Sequence, residues 1–458
     1  MKKHIRVGRL AALVLSGITL FPLSVYAAEQ EVTADMQVVS VEANSAKNNL
    51  LLAKMSTSTV VPPAQDEKAD DLRLSLAKVV LFAETGKFDQ AFALIKQLKK
   101  ENPDNSHVLA AEADLNSRIG NYNSAFIGLN KAVLLDPSDE DILEQQRAAA
   151  YSKGANVLGG FTFRRTDLAY EQLSRATTQF AVTPTISAII NVENDHLHSR
   201  EPIMRVDGSP RNYRDNEQRG FFMLNKVFEN NDEVSGSLYA NTFTAGLGAQ
   251  YSWWTYNGVT RVRGEYNRPD WDYAEMVIER GTKSDFHLER KQIFTNNFNA
   301  TIGGGYNHYA LDDVSDAAQG LGWDANIEYT QSYNFFGNPE NEVNFSANYT
   351  TDAEYFTYVN KRGPASARFK PLSASDYEVH AINISASKKL SSRLFLGGYG
   401  GYSVNRLNGA NGPLYGGSLD YPLSDSLDVE FRASHTESGG ENNSQKEDQL
   451  GLNIKWIL

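Results

Sequence analysis

The chain contains no cysteine among its 458 residues. This absence excludes disulfide bonds, thiolate metal sites and a lipid-anchored N-terminal cysteine. Basic residues are also in the minority, with 44 Lys and Arg against 56 Asp and Glu and a net charge of -12. Because binding to a phosphate backbone needs a basic surface, this balance argues against a nucleic acid as the partner.

Long apolar runs are scarce as well. After the first 27 residues we find no stretch of about 18 apolar residues, so no transmembrane helix is expected. The N-terminus begins with the basic residues Lys2, Lys3 and Arg6, and residues 10–25 are apolar. Small residues follow at Ala27 and Ala28, which predicts a secretory signal peptide over residues 1–27. The mature protein therefore leaves the cytoplasm, and if it lies in a membrane it must do so as a β-barrel.

Residues 28–70 show no sustained period and are predicted to be a flexible linker. Residues 71–154 have a helical period and repeat themselves. The sequence around Gly86 and Ala91 recurs around Gly120 and Ala125. A proline follows each predicted repeat, at the same spacing that separates the two glycines and the two alanines. The expected packing positions of the repeat are Gly86, Ala91, Pro103, Gly120, Ala125 and Pro137.

This segment resembles the tetratricopeptide repeat, whose period is about 34 residues and whose helix pairs stack into a solenoid. The resemblance implies a concave surface that docks a periplasmic protein segment. A rigid spacer without a partner is the alternative.

Residues 155–458 show the period of two that is typical of strands. Leu321, Trp323 and Ala325 alternate with Gly322 and Asp324, and similar alternation recurs to the end of the chain. Turn residues divide this region into about 16 strands, with longer polar stretches near 198–215, 269–283, 312–319, 357–375 and 439–445. The pattern predicts a transmembrane antiparallel β-barrel after a short helical solenoid. Periodicity alone does not separate such a barrel from a soluble sandwich.

The last strand favours the barrel. Every second residue of this strand is apolar, up to the final residue. A strand edge left open there would pair with other chains. Gly451, Ile454, Trp456 and Leu458 are the expected barrel-closing positions. Their order resembles the terminal signal read by the bacterial outer-membrane assembly machinery, although the chain ends in Leu458 where an aromatic residue is usual.

If the apolar parity meets lipid, the opposite parity lines an aqueous lumen. The candidate lumen residues are Glu193, Glu265, Glu289, Asp324, Glu328, Asp428, Glu430, Arg261, Arg263 and Arg432. An excess of acids would favour a neutral or cationic polymer as the passenger. The alternative is that the arginines partner the acids, as in any wet lumen.

Enzyme chemistry is not expected. Ser284 and His287 would point to opposite faces of a strand. His196 and His198 share a face but have no third ligand at a suitable spacing. No phosphate-binding loop or dinucleotide fingerprint occurs. We therefore predict no catalytic, cofactor or metal site.

The two-domain layout resembles the outer-membrane exopolysaccharide export porins, which include the cellulose and poly-N-acetylglucosamine porins. Residues 267–281, Asp285 and residues 303–311 are most similar to the Pel-type barrel. The resemblance implies an exopolysaccharide channel whose periplasmic repeats recruit a partner protein. A translocator of surface lipoproteins or other proteins is the first alternative, because the repeat array is short. A passive porin or structural outer-membrane protein is the second.

Overall fold

The computed structural model describes residues 67–271, 273–334, 342–364, 368–391, 393–424, 426–437 and 446–458. The predicted signal peptide lies outside these residues, as does most of the predicted linker. The first helix begins at Glu67, inside the segment predicted as linker.

Five helices form the N-terminal domain. They are α1 (Glu67–Glu84), α2 (Phe88–Glu101), α3 (Ser106–Arg118), α4 (Tyr122–Leu135) and α5 (Glu140–Lys153). Polar side chains begin three of them. The side-chain oxygens of Asn105, Asn121 and Asp139 accept the backbone N–H three residues later, which satisfies an amide that the helix itself leaves free.

The repeat positions lie at the turns and contacts of this domain. Gly86 and Gly120 end the turns after α1 and α3 with φ of 71° and 84°, a conformation that side chains with a Cβ rarely adopt. Ala91 and Ala125 are buried in the helix-packing cores. Pro103 and Pro137 follow the ends of α2 and α4. The helices therefore stack in two similar pairs and a final single helix.

Eighteen strands and one short helix follow. The strands are β1 (Asn156–Thr166), β2 (Ala169–Thr183), β3 (Ile186–Ser199), β4 (Ile203–Met204), β5 (Pro210–Arg211), β6 (Arg214–Val227), β7 (Glu233–Asn241), β8 (Ala245–Thr255), β9 (Gly258–Pro269), β10 (Thr282–Thr295), β11 (Phe298–Leu311), β12 (Val314–Asn334), β13 (Glu342–Val359), β14 (Tyr377–Ser391), β15 (Leu394–Asn405), β16 (Asn411–Ser424), β17 (Leu427–Glu437) and β18 (Lys446–Ile457). The short helix α6 spans Ala274–Ile278, between β9 and β10.

Sixteen of these strands form one closed antiparallel barrel, and β4 and β5 make a separate hairpin. β1 pairs with β18 from Asn156↔Ile457 to Thr166↔Glu447, which closes the ring. The structure thus confirms the predicted fold class, an α-helical domain followed by a 16-stranded antiparallel barrel. The closure leaves no strand edge unpaired around the ring.

Connections of different length lie at the two ends of the barrel. One end carries short turns such as 184–185, 256–257 and 296–297, together with the helical domain, which enters β1 from α5. The other end carries the longer connections 200–213, 270–281 and 360–376. The long connection predicted near 312–319 is wrong, because β12 already begins at Val314 and pairs with β11 and β13. The predicted loop at 439–445 lies outside the described residues.

Candidate channel through the barrel

Side-chain parity gives each barrel strand an outer apolar face and an inner polar face. On β18, Leu450 and Trp456 are 59% and 56% exposed on the outside. Strand pairing carries this division around the ring, because paired residues share a face. The structure places the candidate lumen residues on the inner face: Glu193, Glu265, Glu289, Asp324, Glu328, Asp428, Glu430, Arg261, Arg263 and Arg432.

Arginines partner acids on the inner face of β1–β10. Glu193 Oε2 lies 2.6 Å from Arg219 Nε, across the β3–β6 pair. Glu265 Oε2 lies 3.1 Å from Arg268 Nε on β9. Three further pairs belong to this set: Arg164–Glu171, Arg261–Glu289 and Arg263–Asp285. On this half of the barrel these five acids are therefore paired with arginines, and long side chains occupy the wall.

The inner face of β11–β16 is different, because its side chains are short and mostly uncharged. They include Thr301, Gly303, Gly305, Gly320, Gly322, Asn326, Asn344, Ser346, Asn348, Thr350, Asn383, Ser385, Gly397, Gly401, Gly416 and Ser418. Charged residues on this face include Asp324, Glu328 and Asp420. Short side chains leave more of the lumen open beside these six strands, and we call this face the small-residue wall.

Some polar groups of the small-residue wall have partners within the barrel, and others are buried. Glu328 accepts a hydrogen bond of 3.0 Å from Asn299, and Asp324 lies 3.4 Å from His287 Nε2. The buried side-chain oxygens of Asn326 and Asn348 accept no hydrogen bond from any described residue. Such a surface of amides, hydroxyls and acids suits a ligand rich in hydroxyl groups.

On β17 and β18 the inner face is mixed. Arg432 Nε lies 2.6 Å from Glu430 Oε1 on the same strand, and Asn453 donates to the second oxygen of Glu430 at 3.1 Å. Asp428 lies opposite Lys455 in the strand register. Gly451 is also on this inner face, whereas Ile454, Trp456 and Leu458 carry the outer apolar parity.

The helical domain is fixed to the short-turn end of the barrel at three places. Asn296 Nδ2, in the β10–β11 turn, donates to the carbonyl of Ala83 at 2.9 Å. Asn121 Nδ2 donates to the carbonyl of Asn231, in the β6–β7 turn, at 3.3 Å. Gln179 Nε2 on β2 donates to the carbonyl of Lys153 at 3.0 Å. In the strand order these contacts lie at the start, a quarter and halfway around the ring. The helices therefore follow one half of the mouth, on the side of β1–β11.

Apolar contacts reinforce this attachment. Phe88 and Ile119 of the helical domain form a buried cluster with Ile293 of β10, and Trp254 of β8 packs against it. Burial lowers the pKa of Lys153, and the charges of Glu233 and Arg261 act on this pKa in opposite directions. Burial of apolar side chains between helices and barrel holds the two parts together.

At the opposite end, residues 270, 271 and 273–281 fold into the lumen, and we call them the plug. Val277 clusters with Ala169 of β2 and Leu197 of β3. Met276 clusters with Tyr309 of β11 and Ala318 of β12. Because β2 and β12 are halfway around the ring from each other, α6 belongs to buried clusters that include side chains from opposite sides of the barrel.

Aromatic and charged contacts anchor the plug. The Arg219 guanidinium lies 4.3 Å from the ring centre of Trp271, and Tyr273 meets Tyr309 edge to face at 5.7 Å. Tyr309 Oη donates to Glu354 on β13, with its two oxygens at 3.1 and 3.0 Å. The sequence did not predict α6 or this packing, although the apolar residues 276–278 inside a polar connection are a signal for it.

Polar bonds also tie the plug to the neighbouring connections. Glu279 binds the Arg205 guanidinium through both oxygens and accepts the backbone N–H of Val206 at 3.2 Å. This ion pair raises the pKa of Arg205. Burial raises the pKa of Glu275, which bonds to Ser373 in the 360–376 connection.

Within the described residues, no helix is long and apolar enough to cross a membrane. Nor does this part of the chain bring together three or more His, Asp or Glu side chains that could hold a metal ion. His196 and His198 lie on the outer face of β3, opposite Asn216 and Arg214. Ser284 accepts the backbone N–H of Asn267 and does not face His287.

No protein-family model matches the chain. No curated protein matches it either. Among solved structures, a bacterial polysaccharide outer membrane secretin is similar at 8% identity, with 67% of this chain and 99% of that chain covered and a TM-score of 0.49. A loop-deletion mutant of OmpT, an outer membrane protein of Vibrio cholerae, matches at 10% identity, with 66% and 97% covered and a TM-score of 0.34. Pseudomonas aeruginosa OccK1 matches at 10% identity, with 66% and 98% covered and a TM-score of 0.32.

Identities this low leave the function to the chain's own residues. The closed antiparallel ring, its exposed apolar outer face and its polar inner face define a β-barrel of the outer-membrane type.

Proposed function

We propose that the protein is an outer-membrane channel that exports an exopolysaccharide, with its helical domain in the periplasm as the docking site of a partner protein. This proposal rests on two features of the structure. One side of the lumen is lined by short side chains that are neutral or acidic, and the helical domain is fixed beside one mouth of the barrel. Extended polymers need a smooth polar path, and the Gly, Ser and Asn residues of β11–β16 provide one.

Charge favours a neutral or cationic polymer. Five acids of β1–β10 are paired with arginines. On the small-residue wall, Asp324, Glu328 and Asp420 have no arginine ion pair among the described residues. A polyanion passing along this wall would meet like charges in a confined lumen, which raises the barrier to its passage.

The short-turn end of the barrel then faces the periplasm, because the helical domain is attached there and precedes β1. The plug lies at the outer end. The plug blocks the passage of small solutes while no polymer is present. Without it, a 16-stranded barrel is wide enough for such solutes to pass.

Exposed apolar side chains on the helical domain support docking of a periplasmic partner. Leu74 and Leu81 of α1 are 56% and 59% exposed and lie seven residues apart, on one side of the helix. Such a stripe on a helical array suits an amphipathic protein segment. A photo-crosslinker at Leu74 or Leu81 should capture a periplasmic protein, whereas one at the exposed Lys100 of α2 should not.

Deletion of the gene tests the main proposal. Surface polysaccharide should fall in the deletion strain, accumulate in the periplasm, and return on expression of the full chain. Surface lipoproteins should stay at their normal level.

The opposite result, with lipoproteins lost from the surface and polysaccharide unchanged, would instead establish the translocator function. Loss of neither, with reduced uptake of small solutes, would identify a passive porin.

A further inference from the structure

A row of basic side chains lies on the outer face of the barrel, at the end with the long connections. In the strand register, Arg165 of β1 pairs with Tyr170 of β2, Tyr170 with His198 of β3, and His198 with Arg214 of β6. Arg165, His198 and Arg214 are exposed, and each lies at the outer end of its strand or one residue from it. Because paired residues share a face and His198 lies on the outer one, these side chains point away from the lumen.

Arg200, which follows β3, brings a second guanidinium group to the same tyrosine. Its guanidinium carbon lies 5.3 Å from the ring centre of Tyr170, and that of Arg165 lies 5.8 Å from it. Arg200 also donates to the carbonyl of Thr166 at 2.9 Å, which holds it beside the end of β1. We call Arg165, His198, Arg200 and Arg214 the basic row. Like charges held this close repel each other, so an anion bound beside them would be stabilised.

The acids nearest to the basic row have other partners. Asp448 of β18 is opposite Arg165 in the register, but its carboxylate lies 2.7 Å from His435 on β17. Asp215 has the inner parity, and its carboxylate accepts the backbone N–H of Asn216. Within the described part of the chain, no carboxylate forms an ion pair with the three arginines of the row. The row therefore keeps its positive charge on the outer surface.

A polar band separates the basic row from the apolar surface of the barrel. It consists of the next two rungs of β2, β3 and β6, which are Gln172, His196 and Asn216, and then Ser174, Asn194 and Gln218. The apolar surface of β3 begins at Val192, which lies about 15 Å from His198 along the membrane normal for a tilted strand. The row is therefore outside the hydrocarbon, above exposed amides that can bond to hydroxyl groups.

We propose that the basic row binds a phosphorylated glycolipid of the outer leaflet, with the phosphates on the arginines and the sugar hydroxyls on the polar band. Guanidinium groups bind phosphate through parallel N–H donors, and the long arginine side chains can bend towards the membrane. A phospholipid offers the phosphate but has no sugar for the amides. This inference rests on the orientation in the proposed function, because a periplasmic helical domain puts the row at the outer leaflet.

Native mass spectrometry of the full-length protein in a neutral detergent tests the binding. Titration with hexa-acylated lipid A, an acylated disaccharide with two phosphates, should show one lipid bound saturably. Arg165→Gln/Arg200→Gln should weaken this binding by about tenfold, because two charge-assisted contacts are lost. The same lipid without its phosphates should bind the parent protein as weakly as lipid A binds the double variant. Heat-modifiable migration on gels should show that both proteins are folded.

Arg393→Gln/Arg406→Gln is the matched control. It removes two exposed arginines that flank β15, four strands away from β1, and should leave the dissociation constant unchanged. Equal affinity of the parent and Arg165→Gln/Arg200→Gln for lipid A would overturn the site. Equal affinity of the parent for lipid A and phosphatidylglycerol would overturn its assignment to a glycolipid. Displacement of lipid A by an equal concentration of inorganic phosphate would assign the row to a soluble anion instead.

Labelling of whole cells checks the orientation. Because the chain has no cysteine, Glu201→Cys in the connection 200–213 supplies a unique and exposed thiol. A membrane-impermeant maleimide should label it in intact cells. No labelling would put the row at the inner leaflet and overturn its assignment to an outer-leaflet lipid. Failure of the proposed function is a separate result: normal surface polysaccharide in the deletion strain would refute export even if lipid A binds at the basic row.

Discussion

Asn296 and Ala83 are 213 residues apart in sequence, yet the side-chain amide of Asn296 donates to the Ala83 carbonyl at 2.9 Å. The same amide also donates to the carbonyl of Glu84 at 3.0 Å. A barrel turn thus binds two carbonyls in the last turn of α1, where the helix makes no further i→i+4 bonds. This contact, with the nearby cluster of Phe88 and Ile293, holds the helical domain beside the mouth.

Replacing Asn296 with alanine should loosen that attachment. The loss of both hydrogen bonds should cost about 1–2 kcal/mol of docking free energy. Hydrogen–deuterium exchange should rise in α1 and α2 and stay unchanged in the barrel strands. The neighbouring Asn297→Ala is the control, because Asn297 donates to Thr330 within the barrel. Equal exchange in both variants would show that Asn296 does not hold the domain.

The plug should respond to loss of its charged anchor. Glu279→Gln removes a carboxylate that binds both Arg205 and the backbone of Val206. Because the pair is partly buried, its disruption should weaken plug docking by about 2 kcal/mol. Cells carrying this variant should admit large antibiotics that the parent strain excludes.

Asp207→Asn in the same connection is the comparison for this experiment. Its carboxylate bonds only locally to Ser209 in the described contacts, so antibiotic uptake should stay at the parent level. Uptake that rises equally in the two variants would point to general damage to the connection rather than to loss of the Glu279 anchor.

Period-two alternation explains why much of the barrel is predictable from sequence. In Leu321 to Tyr329 or in the last strand, each residue's face follows from its neighbours. Antiparallel register extends the same parity to Glu265 or Glu430 on other strands. The recurrence of Gly86 at Gly120 likewise predicts two similar helix pairs, because both turns need a left-handed residue.

Period-two alternation does not predict contacts between segments that are distant in the sequence. Met276 belongs to a short apolar run whose partners, such as Tyr309 and Ala318, are set by how the connection folds inside the ring. For residues 312–319 the sequence predicted a long connection, whereas the structure begins a strand at Val314. Asp312, Asp313 and Asp316 make it resemble a long polar loop, but Val314 and Ala318 are buried against the plug and continue β12.

The plug should also bind more tightly at low pH. Burial raises the pKa of Glu275, so the docked state holds a proton over a range where a solvent-exposed carboxyl would release it. Docking is therefore favoured below the ordinary carboxyl pKa and weakens as the pH rises through the raised value. In planar bilayers, opening events should be more frequent at neutral than at acidic pH.

Glu275→Gln should remove this part of the pH dependence, because the amide is neutral throughout. The bond to Ser373 can persist in that variant, so the frequency of opening should stay near its low-pH value. An unchanged pH profile in Glu275→Gln would mean that another group controls the opening.

Two adjacent glycines on β1 offer a test of how the barrel closes. A Cβ on Gly160 would lie 2.2 Å from Asn453 Oδ1 and 3.0 Å from the Leu452 carbonyl, across the β1–β18 pair. Asn453 has little freedom to move, because its amide donates to Glu430 on β17. Gly160→Val should therefore strain the closing pair and destabilise the barrel by about 1–3 kcal/mol, measured as a lower unfolding temperature.

Gly159→Val is the matched control, since a Cβ on Gly159 meets nothing within 4 Å and points to the outer face. It should leave the unfolding temperature unchanged, or raise it slightly because valine favours strands. Heat-modifiable migration on gels would report folding of both variants. If Gly160→Val closes as well as Gly159→Val, the tight approach of β1 to β18 is not needed, and the seam tolerates a wider spacing than the Asn453–Glu430 bond indicates.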